Sequence, residues 1–434
     1  MTFSRRKFFA LAGASAAGTL MVSPLEAFYA RQANGQSVTG RGYGALVPDP
    51  NGLLDLPVGF RYEAFSRTGD LMADGTLVPS AHDGMAAFPG PRGTTILVRN
   101  HERSIGLTGS RVQVPNPYDP IARGGTTTLV VGANRRLVKD FASLGGTIRN
   151  CAGGPTPWGS WITCEEDVTI PTGSNGVTQL HGYNFEVPAS ATSPVNPVPL
   201  VAMGRFNHEA VAVDPATGIV YQTEDRGDSL LYRFIPTVRN NLARGGVLQA
   251  LRIVGRPGVN TSNSGFVRGQ RLAVDWVTIP EPNPTTEDNV RFQGIELGAA
   301  TFARGEGIWY GNGEIYFCCT SGGAVGAGQV WRYTPADNTL DLFVESTSRE
   351  ELDAPDNIVI APFGDLILCE DGGNDNFLVG VTPDGQLYQF ARNALQSGEF
   401  AGACFSPNGQ TLFVNIQSPG ITFAIWGPWT SNRG

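Results

Sequence analysis

Six times along the chain an apolar run led by a polar or metal-capable residue is followed by a tight turn and a second apolar run that ends in a polar, usually acidic, group. The first runs begin at His82-Asp83, Cys151, His208-Glu209, Glu306, Asp356-Asn357 and Ala401. Their partners end at His101-Glu102, Glu165-Glu166, Glu224-Asp225, Thr320-Ser321, Glu370-Asp371 and Asn415-Gln417. The turns between them read PGPRG, PTPWG, DPATG, GNG, APFGD and SPNG, rich in the Gly, Pro, Asn and Asp that reversals require. Hairpins repeated at similar intervals predict the blades of an all-β propeller. The equivalent hairpin ends then face one central funnel, where Cys, His, Asp, Asn and Glu converge on metal ions.

Helical periodicity is nearly absent. Beyond the N-terminal segment, only 238–244 and 392–397 are expected to make a helical turn or two, and Pro115, Pro117 and Pro120 exclude a helix around Tyr118. The composition, with 56 Gly, 30 Pro and 16% charged residues, suits an all-β chain. A closed ring of blades also accommodates residues 31–434 as a single domain, where this length would otherwise suggest two or three.

Residues 1–30 read as an export signal. Arg5-Arg6 precede an apolar run from Phe9 to Val22 that is short for a bilayer span, the pattern of a twin-arginine signal, with cleavage expected between Ala27 and Ala30. The expected location is periplasmic or extracellular. The twin-arginine machinery is then an export partner, and no stable membrane association follows cleavage. A net charge of −8 argues against a nucleic-acid or anionic-membrane partner, either of which calls for a clustered basic surface.

Of six cysteines, Cys164, Cys318, Cys319, Cys369 and Cys404 lie within apolar runs and read as buried packing thiols, with one Cys–Cys bridge among them as the alternative and Cys318 and Cys319 as either packing variants or a redox-sensitive pair. Cys151, in Asn150-Cys151-Ala152-Gly153-Gly154, stands where other hairpins carry His, Asp or Glu, which points to a thiolate ligand. Of His208 and Glu209, alternation along a strand allows only one to face the axis. Glu209 is the expected ligand and His208 its orienter. Arg304 and Glu306 share a face, either as a salt bridge or as an oxyanion-gripping guanidinium beside a metal-binding carboxylate. The carboxylates at Glu165-Glu166, Glu224-Asp225 and Glu370-Asp371 recur at one structural phase, and such oxygen clusters favour hard cations, above all Ca²⁺. The thiolate beside them adds a transition metal.

Long stretches of the chain resemble the PhoX-type alkaline phosphatases: VRNHE at Val98 to Glu102, NCAGGPTPWGSWITCEED at Asn150 to Asp167, GRFNHEAVAVDPATGIVYQTED at Gly204 to Asp225, RGEGIWY at Arg304 to Tyr310, TSGG at Thr320 to Gly323, APDNIVIAPFGDLILCEDGG at Ala354 to Gly373 and GACFSPNGQTLFVNIQSPG at Gly402 to Gly420. The resemblance implies a six-bladed propeller whose central funnel holds Fe³⁺ and Ca²⁺ and hydrolyses phosphomonoesters. It makes Cys151 an iron ligand, Glu209 and Glu306 metal-associated, and Arg304 a phosphate contact. Glu165, Glu166, Glu370 and Asp371 fit calcium or iron, as do Asp356 and Asn357. Clustered cations would neutralise the phosphoryl oxygens, stabilise the leaving alkoxide and activate a water or oxo nucleophile. Two departures stand out: the chain is compact for the family, and Phe317-Cys318-Cys319-Thr320 replaces an expected hydroxyl-rich strand. The chain has no G-x-S-x-G elbow, P-loop or H-E-x-x-H motif. A calcium-dependent propeller lactonase and a non-catalytic, calcium-tied binding propeller are the alternatives. The lactonase, with one catalytic calcium, leaves Cys151 and the surplus acidic pairs without a task.

Overall fold

The computed structural model describes residues 42–429 apart from 264, 287, 374, 396 and 397. The expected signal at 1–30 lies outside the described residues. All six predicted hairpins form: His82–Pro89 with Thr95–His101, Asn150–Pro155 with Ser160–Glu165, His208–Val213 with Val220–Glu224, Gly305–Gly311 with Glu314–Cys319, Pro355–Ile360 with Leu366–Glu370, and Phe400–Phe405 with Leu412–Ile416. The strands gather into five antiparallel sheets in a propeller-like arrangement. The first strand of each hairpin touches that of the next, and Phe400–Phe405 returns to His82–Pro89. Strand Arg61–Phe65 pairs with Ile421–Trp426, so a segment from near the start of the described chain completes the last sheet.

The core lies between neighbouring sheets. Leu378, Phe390, Phe400, Leu412 and Phe423 form part of one such layer, and Phe302, Phe317, Trp331 and Leu342 part of another, all at most 2% exposed. Burying each of these side chains contributes about 1.5–3 kcal/mol. Near the axis the first strands pack too closely for side chains at certain positions. A Cβ on Gly84 would sit 2.6 Å from Ala152 Cα, and one on Gly307 2.6 Å from the Asp356 carbonyl oxygen. The axial void, about 20 Å³ and lined in part by Gly84, Ala152, Ala210 and Gly307, has room for no more than about one water. The axis is thus filled, and the polar ends of the hairpins stand at the mouth of the ring.

The described residues hold one α-helix, Val290–Glu296, which the sequence pattern does not single out because it is only seven residues long. Of the two expected helical turns, 238–244 yields a 3₁₀ turn at Leu242–Arg244. At 392–397 the expectation fails at its start: Arg392 and Asn393 complete strand Leu387–Asn393, held by pairing with Phe377–Val381. No helix among the described residues is long and apolar enough to cross a membrane. All six cysteines are free and buried. Cys318 and Cys319 point to opposite faces of their strand, into different apolar clusters, so they pack as thiols and do not bridge.

Candidate metal centre

One backbone device, repeated in every hairpin, builds the site. The residue after each second strand donates its N–H to the carbonyl of the residue before the first strand: Glu102 to Ala81, Glu166 to Arg149, Asp225 to Asn207, Thr320 to Arg304, Asp371 to Ala354 and Gln417 to Glu399. Just beyond, each first strand shifts register, after His82, Asn150, His208, Gly305 and Pro355, and one pair later in the sixth, after Ala401. Such a bulge re-aims a side chain without ending the strand. The residues inside the first five shifts include Asp83, Cys151, Glu209, Glu306 and Asp356.

Three groups of ligand atoms result, each with its atoms within 4.8 Å of one another: Cys151, Glu166 and Glu209; Glu209, Glu306 and Asp356; and Asp83, Glu102 and Glu399. Glu209 belongs to two of them. The Cys151 Sγ lies 2.9 Å from Glu209 Oε2. Burial, then the neighbouring Glu166 and Asp356 charges, pushes the Glu209 carboxyl well above its ordinary range. Burial and the Glu209 and Asp356 charges do the same to Glu306. Asp83 is raised by burial, Glu102 and Asp356, and Glu399 by burial, Asp356 and Asp371. Burial lifts Glu166 to about 8, against the pull of Arg149, and Asp356 to about 7. Burial and the Glu209 charge raise the Cys151 thiol. Carboxyls and a thiol packed this closely out of water are ionised only with cations among them. The donor set, many carboxylate oxygens and one sulfur, fits hard cations together with a thiophilic one.

The two acids of each consecutive pair take different tasks. In Glu165-Glu166 the first points away from the mouth: Glu165 accepts N–H bonds from Ile148 (2.9 Å), Gly182 (2.9 Å) and Tyr183 (3.2 Å) and meets His181 Nδ1 at 2.6 Å. Glu370 likewise accepts from Asp353 N (2.8 Å) and Phe377 N (2.9 Å). These two expected ligands are thus not brought to the metal-capable groups, because alternation turns them to the opposite face. Their oxygens hold the loops that frame the mouth. Asn357 positions its neighbours, donating to Asp356 Oδ1 (3.0 Å) and accepting from Gly402 N (2.6 Å). Asp371, the second acid of its pair, raises the carboxyls of Asp356 and Glu399. His208 does not orient Glu209: its Nε2 lies 3.0 Å from the Gly204 carbonyl oxygen, its ring stacks on Phe206, and burial lowers its pKa to about 3.

Two guanidiniums stand over the acids. Arg304 makes a forked pair with Asp225 (2.9 and 3.0 Å) and reaches Glu306 at 2.6 Å, so the salt bridge weighed from the sequence exists. Arg149, not among the expected site residues, binds Glu102 (3.2 Å) and Glu166 (2.6 Å). Asp83, Glu102, Asp225 and Glu399 also join the mouth beyond the expected set. Asp83, Glu102 and Asp225 were visible at the repeated phase, and Arg149 precedes Asn150-Cys151 as Arg304 precedes Gly305-Glu306.

A model of the family described as alkaline phosphatase PhoX matches residues 41–420. The chain belongs to the PhoX alkaline phosphatase family. It is accordingly a metal-dependent phosphomonoester hydrolase. Among solved structures, PhoX of Pseudomonas fluorescens in complex with vanadate, a transition state analogue, is 18% identical, with a TM-score of 0.68 over 88% of this chain and 97% of that one. That PhoX likeness supports the fold. A gluconolactonase from Xanthomonas campestris is 13% identical, with a TM-score of 0.44 over 89% of this chain and 99% of that one. Among curated proteins none matches the chain.

Proposed function

We propose that the chain is a six-bladed propeller phosphatase whose mouth holds Fe³⁺ and Ca²⁺ and takes phosphomonoesters at alkaline pH. The observation that carries this reading is the meeting of Cys151, Glu166 and Glu209 with Glu306 and Asp356 beneath two part-exposed guanidiniums. In this reading Cys151 is the thiolate ligand to iron, and Glu209 joins the thiol-bearing group to the all-oxygen group. Glu306, Asp356, Asp83, Glu102 and Glu399 supply the hard oxygens that suit calcium. Bound cations would supply Lewis acidity for a dianionic ester and make water acidic enough to attack.

The chain's own residues do the rest. Arg304, fixed by Asp225, presents its remaining N–H groups to the phosphoryl oxygens. Asn357 fixes Asp356, and Glu165 and Glu370 fix the loops beside the site. Vanadate on the Pseudomonas fluorescens protein suggests that a vanadate-like phosphoryl geometry is accommodated here as well. Arg5-Arg6 and the apolar run behind them support twin-arginine export, with action in the periplasm or outside the cell.

Purified protein assayed in parallel on p-nitrophenyl phosphate, its bis-ester and a lactone tests the reading. Preferential monoester turnover supports it. Lactone hydrolysis without phosphatase activity would favour the calcium-lactonase alternative instead.

A further inference from the structure

Arg149 and Arg304 are the same residue of the repeat in two different hairpins. Each stands one place before its first strand, with φ of +50° and +55°. Each carbonyl accepts from the residue after the partner strand, Glu166 N at 2.9 Å and Thr320 N at 3.0 Å. Each N–H donates to an arginine carbonyl, Arg103 at 3.1 Å and Arg226 at 2.9 Å. Each side chain reaches back to the acid that ends the preceding hairpin, Glu102 for Arg149 and Asp225 for Arg304. The other four equivalent positions carry Ala81, Asn207, Ala354 and Glu399.

The Arg149 and Arg304 side chains are 35% and 40% exposed, while those of Glu166 and Glu306 beneath them are 8% and 5% exposed. Neither Nη1 finds an acceptor among the described residues. Each arginine therefore keeps free N–H donors aimed outward from a backbone-fixed base. Arg149 also ties Glu102 of one ligand group to Glu166 of another, which places it beside the cation sites and not on the outer rim.

We propose that Arg149 is a second phosphoryl-contacting guanidinium, which closes with Arg304 on the phosphoryl group from two hairpins. The proposal rests on the phosphatase reading above. A dianion with three equatorial oxygens can use donors from both sides, and a fork held by carboxylates loses little freedom on binding. If Arg149 serves only to neutralise Glu102 and Glu166, a lysine should replace it, because the charge is kept and only the forked donor geometry is lost.

The test is calorimetric binding of inorganic phosphate to the metal-loaded wild type, Arg149→Lys and Arg304→Lys, with iron and calcium measured on each sample. The proposal expects both variants to keep their metals and to bind phosphate about 10- to 100-fold more weakly. Wild-type phosphate affinity in Arg149→Lys, with Arg304→Lys weakened, overturns the role of Arg149 and leaves the phosphatase reading intact. Loss of metal from Arg149→Lys also overturns it, making the residue part of the cation scaffold. If the metal-loaded wild type binds no phosphate, both the proposal and the reading beneath it fail.

Discussion

Cys151 Sγ and Glu209 Oε2 lie 2.9 Å apart although they come from neighbouring hairpins, each at the bulge of its own first strand. Burial raises both groups; the Glu209 charge raises the thiol further, whereas the hydrogen bond from the thiol pulls the Glu209 carboxyl down against its burial. A proton is shared between them unless a cation takes its place, so metal uptake should release protons and weaken as pH falls.

Cys151→Ser should therefore lose thiolate-to-iron absorption, iron and activity together. Cys404→Ser, which replaces a thiol packed between Met85, Leu97 and Phe413, should keep its metal content even if stability drops. Metal analysis with visible spectra of both variants checks this, and wild-type iron in Cys151→Ser would contradict the thiolate assignment.

The adjacent acids Glu165 and Glu166 should separate cleanly. Glu165→Gln removes the charge that meets His181 in a fully buried pair and should cost about 3 kcal/mol or more of stability. Glu166→Gln should lower metal content with a smaller effect on melting. Thermal unfolding and metal analysis on the two variants read the difference.

That contrast also marks how far the sequence could be read. The six hairpins, their phase and the metal-capable residues at Cys151, Glu209, Glu306 and Asp356 were legible, because turn residues and apolar runs are local signals. Which acid of each consecutive pair faces the mouth was not, since the parity depends on where the strand ends and on the backbone bond to the residue before the partner strand. Glu399 was missed because the sixth hairpin shifts register one pair later than the other five. Its strand begins at Phe400, one residue ahead of the run read from the sequence at Ala401, so the acid before it fell outside the repeated pattern. His208 misled because a histidine beside a ligand is also a ring that can stack on Phe206.

His181 supplies a pH signature of the fold. Burial works to lower its pKa, but the Glu165 and Asp119 carboxylates outweigh burial and the net shift is upward from 6.5. A raised histidine stabilises the protein fully below its unfolded pKa, and the contribution is lost as pH rises through the folded value. The gap in Tm between wild type and His181→Gln should thus be widest near about pH 6 and narrow toward about pH 9. A gap that grows with pH would contradict the pairing.

Arg304→Ala should retain iron and calcium while kcat/KM falls about 10²–10³-fold, the usual cost of losing one preorganised electrostatic contact. Glu306→Ala should lose metal. An Arg304→Ala protein that is stable, metal-replete and fully active would reduce Arg304 to the structural partner of Asp225 and Glu306.

The central claim is that the acids gathered around Glu209 work by holding cations for phosphomonoester hydrolysis. The most direct measurement is p-nitrophenyl phosphate turnover at alkaline pH before and after exhaustive calcium chelation, with metal content determined on the same samples. Activity that disappears with the calcium and returns when it is restored is the predicted result. Full activity in protein shown to be free of calcium would contradict the claim.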